Sequence, residues 1–376
     1  MADKPGLYRL LYRHVLSRFD AEWMHDAAVQ GLRVLGGFAP TRAAIRLLCD
    51  PRPNSADDVA VHAFGLRFAH PLGLAGGFDK EGSCLHGISA LGFSHVEIGT
   101  VTPRPQLGNP KPRLFRLAED SALINRMGFP SGGMAAVARN LRRIRGYDRP
   151  ILISLGKNKV TDLVDAHQDY DDVLSALYPH GDLFTINVSS PNTPDLRRLQ
   201  TRAYLSDLLA AIAETLAELS GGRKPKPLLI KIAPDLTNDE IDTLLDVALQ
   251  HHVAGIIATN TTTRRDGLRS PNRSQEGGLS GQPLRERSTA IIRHIYCQTD
   301  GKLPVVGVGG IFSGDDLYEK LQAGATLAQA YTGFIYEGPA FVRKCIRGLR
   351  RRMAADGVTR LDEIIGASAT GHGDRE

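Results

Sequence analysis

The residues best placed to do chemistry lie in Asp182–Pro194, which reads DLFTINVSSPNTP. Leu183, Phe184, Ile186 and Val188 form a short apolar run that predicts a buried strand, and Ser189 to Pro194 end it abruptly. Such an end presents fixed donors and acceptors. Ser190 offers a proton acceptor, and Asn187 and Asn192 offer two-sided amides for a planar polar ligand. One loop of Ser, Asn and Pro equally makes an ordinary turn. The weight comes from other apolar runs that end in the same way.

AGGFDK sets Gly76 and Gly77 for close backbone approach and Lys80 as a cation, while LINRMGF supplies Asn125 and Gly128. LLIKIAPD buries Lys231 inside an apolar strand, where a cation needs an anionic partner. ATNTT gives Thr259, Asn260 and Thr261. VVGVGGI and AQAYTGF open Gly309, Gly310, Thr332 and Gly333 at helix starts, where barrels commonly bind phosphate. GGLSGQPL, residues 277–284, adds a glycine-rich loop. Few acids or histidines punctuate these ends, so no metal site or carboxylate pair is expected, and Asp79 and Asp235 read as loop-orienting. Amides, hydroxyls, two lysines and a phosphate cradle suit an FMN, its N1/O2 edge on Lys231, beside a planar anionic substrate.

These ends need elements to hold them. From about residue 72 the chain repeats a short apolar run, a polar or glycine-rich loop and a helical pattern. The runs are Leu72–Ala75, His95–Gly99, Ile151–Leu155, Leu183–Val188, Leu228–Ile232, Gly255–Ala258, Val305–Val308 and Thr326–Tyr331. Eight such units predict an α/β fold, a (β/α)₈ TIM barrel over residues 71–355, with a doubly wound open sheet as the alternative. Proline-rich VTPRPQLGNPKPRLFRL after Thr100 reads as a hairpin over the mouth. Residues 1–50 form a separate segment with two amphipathic patterns, Leu7/Leu11/Val15/Phe19 and Met24/Ala28/Leu32/Leu35, the second ended by Gly36-Gly37. With Arg9, Arg13 and Arg18 alongside, these helices could pack on the barrel, bind a partner or lie in a membrane interface. Residues 51–70 read as a linker and 356–376 as a flexible tail.

Composition sets the outer bounds. The 376 residues are 42% hydrophobic and 23% charged, enough chain for a sizeable core. No run is long and apolar enough to span a bilayer, and the first residues carry neither a secretory nor a transit pattern. Cys49, Cys84, Cys297 and Cys345 lie far apart, so a reducing cytosol is expected and a disulfide or zinc framework is not. The net charge of +5 suits an anionic substrate or membrane surface; no nucleic-acid-reading motif accompanies it.

In unbroken order over residues 5–350, AGGFDK, EIGTVTPRPQLGNPKPRLFRL, NRMGF, NVSSPNTP, KIAPD, ATNTT, GGLSGQPL and GVGGI resemble dihydroorotate dehydrogenase. Ser190 and the N-terminal segment resemble class 2, the quinone-linked, membrane-associated form. Class 1 places Cys at the base position and lacks that segment. The resemblance implies oxidation of dihydroorotate to orotate in pyrimidine synthesis, with electrons passing through one FMN per chain to a membrane quinone. It makes Ser190 the base. Ala75, Gly76, Gly77, Phe78, Asp79, Thr100, Ser154, Asn187, Lys231, Thr259, Gly281, Gly310, Tyr331 and Thr332 match flavin-contacting positions. Lys80, Asn125, Arg126, Met127, Gly128, Phe129, Asn187, Asn192, Asn260 and Thr261 match substrate positions, and His25 and Arg116 the quinone entrance. The implied protein is a peripheral monomer on the cytoplasmic face of the membrane. The chain departs from the family at Ser154, where Asn is usual, and at Pro130-Ser131, where Asn-Asn is common. The rival readings are a class 1-like flavoprotein using fumarate or a nicotinamide, a barrel lyase with Lys231 or Lys80 as Schiff-base nucleophile, and a non-enzymatic membrane scaffold.

Overall fold

The computed structural model describes residues 7–51 and 58–369, and within it eight parallel strands close into a barrel. In chain order, β1 (Val61–Ala63) and β2 (Leu66–Phe68) form an antiparallel hairpin that feeds the first barrel strand, β3 (Leu72–Leu74). β4 (Val96–Val101) follows, then a second hairpin of β5 (Leu114–Leu117) and β6 (Ala122–Asn125). The barrel continues through β7 (Ile151–Leu155), β8 (Leu183–Asn187), β9 (Leu228–Ile232) and β10 (Gly255–Ala258). β11 (Gly278–Gly281) leaves it to pair with β6, and β12 (Val305–Val308) and β13 (Ala325–Ala330) close it against β3. The expected barrel is present, and the proline-rich excursion is the hairpin of a three-stranded sheet, β11-β6-β5.

The two faces of each barrel strand are spent differently. Ile153 and Phe184 are register partners, and both lie against the Gly181 loop outside the barrel. Alternation then turns Ser154, Thr185 and Asn187 inward. The same argument places Gln329 inside, because Gly307, one register step from Val308, faces the helix side chains Ile292 and Lys320. The outer face is therefore aliphatic, and the inner face becomes polar toward the mouth. Helix starts are fixed locally: Thr237 accepts the Glu240 N–H while Glu240 reaches back to the Thr237 N–H, a capping box worth about 1 kcal/mol.

Three expectations change. Residues 61–68 of the proposed linker are the β1–β2 hairpin, whose Phe68 is fully buried and packs edge-on to His95, with ring centroids 5.2 Å apart. It covers apolar surface where β4 begins. The N-terminal segment has three helices, α1 (Leu7–His14), α2 (Ala21–Gly37) and α3 (Ala39–Cys49). The first pattern breaks before Phe19, and Pro40 restarts a helix directly after Gly37. The tail is packed as far as it is described. Leu361 and Ile364 are buried, and Gly366 N–H bonds the Leu321 carbonyl at 3.0 Å. Residues 370–376 lie outside the described residues.

Candidate active site

One cavity opens at the carboxyl ends of the barrel strands, with an empty volume of about 1290 Å³ including its open mouth. Ser190 lines it, 6% exposed, where the end of β8 turns. Around it the strand-end amides bond one another. Asn192 Nδ2 donates to Asn125 Oδ1 at 3.1 Å, and Asn260 Nδ2 to Asn187 Oδ1 at 3.2 Å and Ser189 Oγ at 3.0 Å. Asn187 Nδ2 donates to Thr100 Oγ1 at 2.7 Å, and Thr261 N–H to Asn260 Oδ1 at 2.8 Å. Four strand ends are thereby joined into one rim, with each amide's orientation fixed by its neighbour. The Ser190 hydroxyl accepts the Asn192 N–H at 3.2 Å and, among the described residues, bonds no imidazole or carboxylate.

The floor of the cavity is charged and amide-bearing. Lys231 Nζ donates to both oxygens of Glu97, at 3.0 and 3.1 Å, with both side chains buried. Beside this pair, Gln329 lines the cavity fully buried, and neither of its amide atoms has a partner. A buried amide left open at both ends costs stability unless a bound molecule or water completes it. A flavin ring edge, with alternating acceptors and an imide donor, meets that need. The residues therefore fit the flavin. At the far end Gly309, Gly310, Tyr331, Thr332 and Gly333 line the wall, and Ser280 and Thr332 hydroxyls bond at 2.8 Å.

The third wall comes from α2 and the mouth hairpin. His25 lines the cavity with Nε2 3.4 Å from Lys80 Nζ and its ring edge-on to Phe78. Burial, and then the Lys80 ammonium, push the imidazole down to about 3, so it is neutral at physiological pH. Burial also lowers Lys80 from its ordinary value, with Asp26 and Glu22 opposing. Glu22 is clamped by Arg113, with Nη2 at 2.7 Å from Oε1 and Nε at 3.1 Å from Oε2, and by Lys111 at 3.2 Å. Burial alone would raise this carboxyl, but the hydrogen bonds from Arg113 and Lys111 outweigh it and hold it low.

Most of the expected site residues meet in this cavity: Ala75, Gly76, Gly77, Lys80, Thr100, Asn125, Met127, Phe129, Asn187, Ser190 and Asn192 on one side. Lys231, Thr259, Asn260, Thr261, Gly281, Gly310, Tyr331 and Thr332 complete it. Six do not line it. Phe78 is buried beneath, edge-on to Tyr331 and Phe334. Asp79 accepts the Ser83 and Cys84 N–H groups at 2.8 and 2.9 Å, the loop-orienting role. Ser154 stands behind the wall and bonds Thr100 Oγ1 at 3.0 Å, so it acts on the cavity through Thr100. Arg126 lays its guanidinium over Phe115 and bonds Gln275, and Gly128 turns the chain at φ +67° behind Asn109. Arg116 bonds the Ser17 and Phe19 carbonyls and lies over Tyr12, tying the helical segment to the hairpin. Sequence reading missed Glu97 and Gln329. Both are polar residues inside runs otherwise apolar, the signal that had singled out Lys231.

Residues 58–353 match the family model described as dihydroorotate dehydrogenase. Among curated relatives, a protein of Synechococcus sp. strain JA-2-3B'a(2-13) is 50% identical over 91% of this chain and 94% of its own length. One of Anaeromyxobacter dehalogenans strain 2CP-1 is 47% identical over 94% and 95%. Both are named dihydroorotate dehydrogenase (quinone). Among solved structures, an Eimeria tenella DHODH in complex with ferulenol superposes with a TM-score of 0.84 at 34% identity, covering 96% of this chain and 98% of its own.

Proposed function

The chain belongs to the dihydroorotate dehydrogenase family, and from that premise we propose that it oxidises dihydroorotate to orotate in pyrimidine synthesis, with a quinone as electron acceptor. The observation that supports this best is the rim itself: Ser190 set among two bonded pairs of asparagines, Asn125–Asn192 and Asn187–Asn260, in a cavity that also holds Lys80 and the Lys231–Glu97 floor. In this reading the substrate ring lies against Asn125, Asn187, Asn192, Asn260 and Thr261, and the Lys80 ammonium meets its carboxylate. Ser190 takes the C5 proton. A serine hydroxyl is a weak base, so the proton must leave through water or a neighbouring hydroxyl, since among the described residues Ser190 bonds no imidazole or carboxylate. FMN supplies the acceptor for the C6 hydride when bound. Lys231 and Gln329 would hold its ring edge, and the loops at Gly309–Gly310 and Tyr331–Gly333 its phosphate.

The reading extends to place. Leu10, Leu11, Val15, Phe19, Trp23, Val34, Leu35 and Phe38 of the helical segment are exposed, and among the described residues no helix is long and apolar enough to cross a membrane. Helices with such faces suit docking in the bilayer interface, here as a monomer on the cytoplasmic face. His25, neutral and set on α2 beside Lys80, would then stand on the quinone's way in.

The test is the visible spectrum of the purified protein before and after anaerobic dihydroorotate. A flavin band that bleaches with substrate and returns with quinone is expected. A colourless protein, or a band that dihydroorotate leaves unchanged, overturns the reading.

A further inference from the structure

The Lys231–Glu97 pair has a cost that packing does not repay. Each group loses its water, and a hydrophobic pair of similar size would fill the same space without that penalty. The carboxylate is also built in closely: a Cβ on Gly76 would lie 2.7 Å from Glu97 Oε1, so the AGGFDK loop can pass over it only as glycine. Glu97 thus sits directly under the backbone that lines the cavity, and its side chain is fully buried. The imidazole that precedes its strand, His95, is buried and neutral, pushed down to about 3 by burial and then by His70, and offers no competing charge. Lys231 is held by two hydrogen bonds to one carboxylate, and its charge is opposed at about 3 Å.

We propose that Glu97 is a positioning residue for the flavin, one that fixes the Lys231 ammonium at the cavity floor and sets the net charge beneath the ring, and thereby its reduction potential. The proposal rests on the flavin reading above. Reduced flavin carries more negative charge than oxidised flavin, so an unopposed lysine would favour the reduced form. An opposing carboxylate restrains that preference and keeps the electrons available to a quinone.

The experiment compares wild-type holoenzyme with Glu97→Gln and Glu97→Asp, measuring the flavin midpoint potential and the two anaerobic half-reactions. Glu97→Gln should move the potential positive by a factor of about ten in the reduced-to-oxidised ratio, about 30 mV for a two-electron couple. Reduction by dihydroorotate should quicken and reoxidation by quinone slow, and Glu97→Asp should fall between. A merely structural carboxylate would alter stability and leave the potential in place. An unchanged or negative-going potential in flavin-loaded Glu97→Gln overturns the proposal. If that variant does not fold, the same criterion applies to Glu97→Asp. A wild-type protein without flavin would instead remove the functional reading itself.

Discussion

Leu72, Ile98, Phe184, Ile230 and Ile257 in the barrel strands are fully covered, whereas Leu10, Leu11, Val15, Phe19, Trp23, Val34, Leu35, Phe38, Leu47 and Leu48 lie exposed within forty residues of the helical segment. Elsewhere among the described residues the exposed large apolar side chains are Leu107, Val160, Val164 and Leu249, with no cluster like that of the helices. The barrel uses its apolar residues to fold and its polar ones to build a site. The helices do the reverse. Their polar residues tie them down: Arg9 Nε to Glu337 at 2.6 Å, Glu22 to Arg113, and the Phe19 carbonyl to Arg116. Val29, Leu32 and Ile45 pack against the core and Tyr12 is buried against Tyr336, but much of the remaining apolar surface points outward. Under the proposed function, that difference assigns the first half-reaction to the barrel and delivery of the electron acceptor to the helices.

The largest expected effect would sharpen the barrel's side of that division. Ser190→Ala removes the hydroxyl assigned as the base in the amide rim. It should retain flavin yet slow anaerobic reduction by dihydroorotate by about 10²–10⁴, the usual worth of a general base. Reoxidation by quinone should be unaffected. Stopped-flow absorbance checks both halves in one preparation, and a near-wild-type reductive rate would move the base elsewhere.

A smaller and more selective effect is expected at the other region. A chain beginning at residue 51 should keep its reductive half-reaction and its turnover with small soluble dyes. Turnover with long-chain quinone on liposomes should fall at least about tenfold relative to dye, because the interfacial faces are gone. Equal loss toward both acceptors would make the segment a packing element and erase the contrast drawn above.

How legible each region was in sequence follows the same division. Barrel strands are short β-branched runs closed by polar ends, and β7, β9, β10 and β12 begin and end at the residues that periodicity predicts. Their loop chemistry was legible because it repeats. The helices follow tertiary demands that periodicity does not carry. Gly36-Gly37 reads as a helix end, but a Cβ on Gly36 would lie 2.3 Å from the Gly87 nitrogen, so this glycine marks where α2 presses on the barrel's first helix. Lys231 signalled that an anion was near, yet its partner is 134 positions away along the chain, and only barrel closure brings Glu97 to it. Asn125, Asn192 and Asn260 each suggested a turn when taken singly, and only the bonds of Asn192 to Asn125 and of Asn260 to Asn187 show a rim.

The smallest expected effect concerns stability against pH, and it asks whether the two regions unfold as one. His25 in the helical segment and His70 and His95 at the barrel base are all buried, and burial pushes them down to about 3, 4 and 3. Their ordinary value is about 6.5. Between those limits the unfolded chain binds protons that the folded chain refuses. The stability is therefore whole above about pH 6.5 and is lost as pH falls toward the folded values. Each such histidine steepens the loss by up to about 1.4 kcal/mol per pH unit. His95→Phe keeps a ring of similar size against Phe68 and removes one of these protons, so the main transition should depend less on pH between 6 and 4.5. His25→Phe should flatten it much less, because polar ties hold the helices and they can detach before the barrel melts. Urea unfolding at a series of pH values measures both slopes. Equal flattening by the two substitutions would show that helices and barrel unfold as one cooperative unit, and that the helical segment is as much a part of the fold as the strands beneath it.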